Sequence, residues 1–416
     1  MSAYVLMLVG VLTVLTAFTT KLLSLAVQPR WLTGLTVGLA VIAIAWTAVI
    51  VWSFLLVRPP RSDVVGRVLT TSLTISLCAL VLAPTAYAAR LAYLSRDVVN
   101  TLFSSAGNAP IMAQDPWNGA TRVSFLLIGG DSAPSRPGVR TDSMTVASVD
   151  TNTGATTLFG LPRNLQQVQF PAGPARDHFP WGFTGEGPDT PGLLNEIFQY
   201  AEDHPEMVPG VDKGKRGPAL IKQTIGDILG IPVNYYAMVD MKGFAEIIDA
   251  MGGVRITVKE PIVYGRSREG LLPAGTRKLT GEEALWYGRS RTDSDDYVRM
   301  GRQKCLLNAV AKQADPMTVL NSFESLAAAT KRAISTDIPQ DLLPAVVDLS
   351  QKVKDARIRS LSFVPPLINT AAPDWYLIRR KVSEALEENR TARPAAHSPS
   401  PTASQDDPVA LDATCH

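Results

Sequence analysis

The stretch "GPALIKQTIGDILGIPVNYYAMVDMKGFAEIIDAMGGVRITV", residues 217–258, changes its period three times. Up to Gly230 its apolar residues recur at helical spacing, with Pro218 near the start and Gly230 at the stop. "YYAMVD" (Tyr235–Asp240) then reads as a strand, "MKGFAEIIDAMGG" as a second helix closing on Gly252 and Gly253, and "VRITV" (Val254–Val258) as another strand. Strands alternating with helices argue for an α/β fold, a layered domain with a largely buried sheet.

The same grammar extends outward. "VSFLLI" (Val123–Ile128) is a short continuous apolar run, as for a buried strand. "MTVASV" (Met144–Val149) and "TTLFGL" (Thr156–Leu161) flank the turn signal "DTNTG" and read as a hairpin. The part beyond Asp296 reads as mostly helical. The expectation is an α-β-α domain over residues 121–390 with a central mixed sheet, a turn-rich linker over 95–120, and a disordered Pro/Ser-rich tail over 391–416.

The first ninety or so residues are nearly charge-free. Apolar runs at about 4–20, 31–57 and 69–88 each approach the roughly 20 residues needed to cross a bilayer core. One such run fits a signal peptide; three in a row do not, so three transmembrane helices and a membrane anchor are expected. Charge fixes orientation poorly, because Arg58, Arg61 and Arg67 on one side face Lys21, Arg30, Arg90 and Arg96 on the other. The whole chain of 416 residues has a net charge of only +2, which gives no general attraction for nucleic acid.

Polar residues gather at the strand ends. The first strand closes on "GGD", Gly129 to Asp131, at the carboxyl end where α/β sheets bind ligands. "VRTDSM" places Arg140 and Asp142 just before the second strand. Two readings stand for Asp131 and Asp142: a pair sharing one hard cation such as Mg²⁺, or turn and cap residues. "LPRN" ends the third strand, and Pro162 fixes the exit of Arg163.

"GRSRTDSDDYVRMGRQ", residues 288–303, carries the remaining charges. A short helix before it starts at a capping box, Thr280 with Glu283, and ends at Gly288. If the next residues are extended, Arg289 and Arg291 point to one side. A second helix begins near Asp296 and puts Asp296, Arg299 and Gln303 on one stripe, with Arg302 on a different face suited to salt bridges. Solvated ion pairs are the bland reading of the run. Collecting Arg140, Arg163, Arg289, Arg291 and Arg299 in one place gathers about five positive charges, and two aspartates with a divalent cation sum to about zero. That balance calls for a highly charged anion, and a pyrophosphate suits it.

Taken together, "FLLIGGD", "RTDSM", "LFGLPRN", the stretch from Ile228 to Val258, "LTGEEALWYGRSR" and "DDYVRMGRQ" resemble, in their order, the LytR-CpsA-Psr family of cell-envelope proteins. The resemblance covers residues 121 to about 310. It implies a phosphotransferase that moves a glycopolymer from a polyprenyl-pyrophosphate carrier onto peptidoglycan. It implies Mg²⁺ on Asp131 and Asp142, pyrophosphate binding by Arg140, Arg163, Arg289, Arg291, Arg299 and Gln303, and a catalytic set of Arg163, Arg289, Arg291 and Asp296, with Asp296 as orienter or base. It also implies a multi-pass protein of the cytoplasmic membrane with its C-terminal domain extracellular. In that setting Cys305 and Cys415 can pair and tie down the tail; two free thiols are the alternative.

The sequence departs from the family where a lysine often precedes an asparagine, because Leu194 precedes Asn195 here. The segment from Phe170 to Gly217, rich in Pro and Gly, reads as a variable substrate loop. Two rivals remain: a non-catalytic polyprenyl-phosphate-binding module, and a pyrophosphatase with water as acceptor.

Overall fold

The computed structural model describes residues 28–57, 64–103, 115–131, 139–187, 192–265, 268–292, 295–313, 323–391, 409–410 and 415. The chain forms two compact units: residues 1–109 with 339–348, and residues 110–338 with 349–416.

In the first unit, helices α1 (Pro29–Val57) and α2 (Val64–Leu102) pack along each other. Both are long and apolar enough to cross a membrane. Trp52, Leu56, Val65 and Leu80 are all about 70% exposed, a surface that suits lipid better than water. Two of the three expected spans correspond to these helices, and the span at residues 4–20 lies outside the described residues. α2 continues to Leu102, into the segment read as linker. There Gln340 donates to the carbonyls of Val99 and Phe103 at the end of α2.

The second unit is built on a seven-stranded sheet in the order β11-β10-β3-β2-β1-β4-β9. Its strands are β1 (Arg122–Asp131), β2 (Arg140–Asp150), β3 (Thr156–Leu161), β4 (Tyr235–Asp240), β9 (Ile334–Thr336), β10 (Ile358–Ser362) and β11 (Val409–Ala410). The β1/β4 and β3/β10 pairs are parallel and the others antiparallel, so the sheet is mixed. The β2–β3 hairpin turns at "DTNTG", where Asp150 Oδ1 accepts from the backbone of Asn152 and Thr153.

Side chains at alternate positions divide the sheet. Leu126, Ile128, Met144, Val146, Phe159, Leu161, Leu361 and Phe363 fill one face. Against them pack α4 (Ile197–Asp203), α5 (Arg216–Leu229) and α11 (Trp375–Thr391). Gly230 ends α5 in the left-handed region, φ 68°, which a residue with a Cβ adopts only at a cost. The segment read as a variable loop is instead ordered where described. It holds α3 (Pro174–His178), and Phe170, Phe179, Phe183 and Tyr200 meet mostly edge to face with ring centroids 5.2–5.9 Å apart. Its aromatic residues supply a small core that Pro and Gly content concealed.

A second core lies beside the sheet. Strand β5 (Val254–Val258) does not join the main sheet; it pairs with β8 (Gly275–Leu279), while β6 (Ile262–Tyr264) pairs with β7 (Gly270–Leu272). α6 (Met241–Ala250), α7 (Gly281–Arg289) and α8 (Asp296–Gln313) cover these ladders through Ile248, Ala284, Tyr287 and Leu306. The part beyond Asp296 is mostly helical, adding α9 (Phe323–Ala333) and α10 (Leu343–Asp355).

Gly243 of α6 faces α9 so closely that a Cβ there would sit 2.0 Å from Ala333 Cβ and 2.6 Å from its Cα. Backbone does not yield as a flexible side chain does. Gly243→Ala is therefore expected to destabilise the domain by about 1–3 kcal/mol, despite the better helix propensity of alanine. Chemical denaturation with unchanged stability would refute the close packing.

The tail beyond α11 was expected to be disordered, yet its described parts are fixed. Val409 and Ala410 pair with Ser360 and Arg359 at the sheet edge. Cys415 forms a disulfide with Cys305 of α8, with Cα atoms 5.3 Å apart.

Candidate active site

The site begins with a register fault. Gly129 lies opposite Ser143 and Gly130 opposite Thr141, so Asp142 has no Cα partner on β1. Such a bulge re-aims a side chain at the rim of a sheet. A Cβ on Gly130 would meet Met238 Cε at 2.7 Å, the movable end of a flexible side chain, and Val139 Cγ1 at 3.2 Å. Asp142, at 9% exposure, is thereby turned toward the end of β3.

Pro162 ends β3, and Arg163 leaves it with a planar fork. Nη1 donates to Asp142 Oδ1 at 2.7 Å and Nε to Asp296 Oδ2 at 3.2 Å. Arg299, one turn after Asp296 on α8, donates through Nη2 to the same Asp296 Oδ2 at 3.0 Å and to the Asp142 carbonyl at 3.0 Å. Two carboxylates and two guanidiniums from β2, the end of β3 and α8 thus form one mostly buried network. Asp295 sets the start of α8, its Oδ1 accepting from the backbone of Tyr297 and Val298.

Burial by itself pushes the Arg163 guanidinium toward neutrality. The hydrogen bond and charge of Asp142, then Asp296, outweigh it and hold Arg163 above the ordinary arginine value. Arg299 goes the other way. Burial lowers it, and the like charges of Arg163 and Arg291 add to that effect against the attraction of Asp296 and Asp142. Removing one member of such a network leaves a partner charged and unpaired.

The other expected residues divide. Arg291 is exposed and close enough to Arg299 for its charge to act there. Arg140 is exposed at the start of β2, its Cα opposite that of Asp131. The Asp131 side chain lies outside the described residues. Arg289 is the last residue of α7, so that helix runs one residue past Gly288. Because it is helical, Arg289 does not share an extended segment with Arg291; its guanidinium lies 5.7 Å from the Trp286 ring. Gln303 donates to the Gly288 carbonyl at 3.0 Å and so ties α8 to the end of α7. Arg302 likewise donates to the Ser290 carbonyl, at 2.9 Å.

Lys304 was not anticipated. It lies on α8 above Gly160 of β3, where a Cβ would meet its Nζ at 3.3 Å, and it donates to Ser362 Oγ. Burial alone lowers its pKa to about 8. The only sequence signal was its helical spacing from Met300. An unfolded lysine titrates near 10.5, so below pH 8 the folded state carries a desolvated charge and loses stability. That loss is relieved as pH rises from about 8 to 10.5. Lys304→Met is expected to stabilise the domain by roughly 1–3 kcal/mol at pH 7 and to make no difference near pH 10.5. Denaturation at the two pH values checks this, and equal effects at both would contradict it.

Eight buried side-chain atoms among the described residues lack a hydrogen-bond partner, and four belong to Asn164, Asn195, Asp296 and Arg299. Each such atom costs about 1–3 kcal/mol. Four of the eight thus lie in or beside one network. No group of three or more His, Cys, Asp or Glu side chains among the described residues forms a metal cage. Mg²⁺ needs only one or two carboxylates when phosphate and water complete its shell. Asp142, whose Oδ1 is held by Arg163, fits as one such carboxylate.

A model of the LytR_cpsA_psr family matches residues 94–389. A curated relative is polyisoprenyl-teichoic acid–peptidoglycan teichoic acid transferase TagU of Bacillus cereus, 25% identical over 279 residues, covering 66% of this chain and 78% of the relative. Among solved structures, Bacillus subtilis TagV is similar at TM-score 0.46 and 22% identity, covering 66% of this chain and 99% of its own. Protein gbs0355 of Streptococcus agalactiae is similar at TM-score 0.47 and 21% identity, covering 64% and 88%.

Proposed function

The chain belongs to the LytR-CpsA-Psr family, and from that premise we propose that it moves a glycopolymer from a polyprenyl-pyrophosphate carrier onto peptidoglycan. The observation that carries this reading is the fork of Arg163 between Asp142 and Asp296, with Arg299 held behind it. Fixed guanidiniums suit a pyrophosphate, and their rigidity means little reorganisation as charge develops. The relative named as a teichoic acid transferase supports the same substrate class.

In this reading Arg163, Arg299 and Arg291 bind the pyrophosphate, joined by Arg140 and Arg289. Gln303 acts through position, by joining α8 to α7. A bound Mg²⁺, held by Asp142 with Asp131, would supply further neutralisation of phosphate charge. A sugar hydroxyl of peptidoglycan attacks the phosphorus next to the glycan. The new P–O bond forms as the bond to polyprenyl phosphate breaks. Asp296 orients both arginines through Oδ2, and its Oδ1 is the acceptor we assign to the proton of the attacking hydroxyl. The network positions the phosphoryl group for attack and stabilises the leaving polyprenyl phosphate, which is most of what phosphoryl transfer requires.

Helices α1 and α2 would anchor the chain in the cytoplasmic membrane. The Cys305–Cys415 disulfide supports an oxidising, external setting for the second unit. Deleting the chain in its host cell tests the reading. Glycopolymer bound to purified sacculi should fall while free polymer appears in the medium; unchanged retention on sacculi would count against it.

A further inference from the structure

Trp181 is the most exposed large apolar side chain among the described residues, at 90%. Tryptophan is ordinarily well buried. Its mount here is rigid. Phe179 and Phe183, two residues to either side, are buried, meet edge to face with ring centroids 5.2 Å apart, and both touch Tyr200. The Gly182 N–H donates to the Phe179 carbonyl at 3.1 Å, and the Phe183 N–H to the Val168 carbonyl at 2.8 Å. Gly182 also lies on the backbone of Gln167, where a Cβ would come within 2.9 Å of the Gln167 carbonyl oxygen. The chain is therefore pinned on both sides of an indole that faces solvent.

The same mount ties Trp181 to the arginine network. Gln167 follows Arg163 by four residues, which span at most about 14 Å. The Leu165 N–H donates back to the Pro162 carbonyl, a turn that shortens the reach. A glycan whose pyrophosphate rests on Arg163 reaches the indole within a few sugars. A sugar ring has a C–H face that leaves water on an aromatic plane, and a rim of hydroxyls that seek donors and acceptors. Gln167, Gln169 and Thr184, exposed on the same segments, supply both. A bilayer surface is the other common partner of an exposed tryptophan. It suits this one less, because Asp177 and Glu186 are exposed on the same segment and an anionic lipid surface repels carboxylates.

We propose that Trp181 is a stacking platform for a sugar ring of the donor, so that the chain grips the glycan as well as the pyrophosphate that carries it. The inference rests on the pyrophosphate reading of the site given above. Because the indole is exposed, its removal should weaken the glycan and leave the fold as stable as before.

The test uses the full chain in lipid nanodiscs with Mg²⁺ and two probes: polyprenyl-pyrophosphate-linked glycan extracted from the host membrane, and bare polyprenyl pyrophosphate of the same chain length. Trp181→Ala should bind the glycan-bearing probe at least about fivefold more weakly, bind the bare probe as wild type does, and keep the wild-type unfolding midpoint. Trp181→Phe keeps an aromatic plane and should recover much of the loss. Unchanged affinity of Trp181→Ala for the glycan-bearing probe overturns the proposal. An equal loss for both probes also overturns it, and assigns the indole to the lipid surface. Arg163→Ala separates the two readings. If it loses both probes while Trp181→Ala loses neither, this inference alone fails. If it binds the bare probe normally, the pyrophosphate reading fails, and the glycan-selective loss in Trp181→Ala still decides whether the indole holds a sugar.

Discussion

Replacing Arg163 by alanine is expected to lower glycopolymer transfer by about 10²–10³-fold, the usual cost of deleting one preorganised electrostatic group. The size follows from its position. One guanidinium holds together Asp142, 21 residues before it, and Asp296, 133 residues after it. Without it the two carboxylates repel each other beside a phosphate that needs positive charge. Some stability goes as well, about 1–3 kcal/mol, because the aspartates stay partly buried. Arg163→Lys separates charge from geometry. A lysine keeps the charge but cannot reach both carboxylates with a planar fork, so it should recover stability better than activity. Steady-state transfer rates and thermal unfolding on the same three proteins check this; full activity in the lysine variant would show that charge alone suffices.

The second large effect is on stability. Cys415→Ser should destabilise the second unit by about 3–5 kcal/mol, since the disulfide closes a loop of 110 residues. That loop carries α9, α10, β10 and α11, and its fixed end on α8 lies two residues from Gln303. Reductant should lower the unfolding midpoint of the wild type to that of the variant and leave the variant unchanged. A wild type indifferent to reductant would mean that β11 pairing and α11 packing hold the tail unaided.

Much of this was legible in sequence because it is local. "DTNTG" fixes a hairpin through one aspartate side chain. Thr280 and Glu283 form the expected capping box, with Glu283 N–H donating to Thr280 Oγ1 and Glu283 Oε2 accepting from Thr280 N–H. The i, i+3 spacing of Asp296 and Arg299 foretold their contact at 3.0 Å. Other features depend on what a segment packs against. "VRITV" has the pattern of a core strand but pairs with β8, because α6 and α7 cover it away from the main sheet. Gln303 shares the stripe of Asp296, yet the carbonyl of Gly288 lies within its reach and claims it. Arg289 reads as part of an extended pair, but the helix continues one residue further and sets it over Trp286. Lys304 carries no motif, and Asn195 was noted only as the asparagine of a family segment; the burial of Lys304 and the lack of a partner for Asn195 Oδ1 emerge only when strands and helices converge.

Reconstituted transfer decides the function. Purified chain, a polyprenyl-pyrophosphate-linked oligosaccharide, Mg²⁺ and peptidoglycan oligomers are incubated together, and the products are resolved by mass spectrometry. The oligosaccharide is expected on peptidoglycan through a phosphodiester, with polyprenyl phosphate released in equal amount and both products formed about 10²–10³-fold more slowly by Arg163→Ala. Oligosaccharide phosphate freed into water with no peptidoglycan adduct would instead make the chain a pyrophosphatase, and binding with no bond broken would leave it a carrier-binding module.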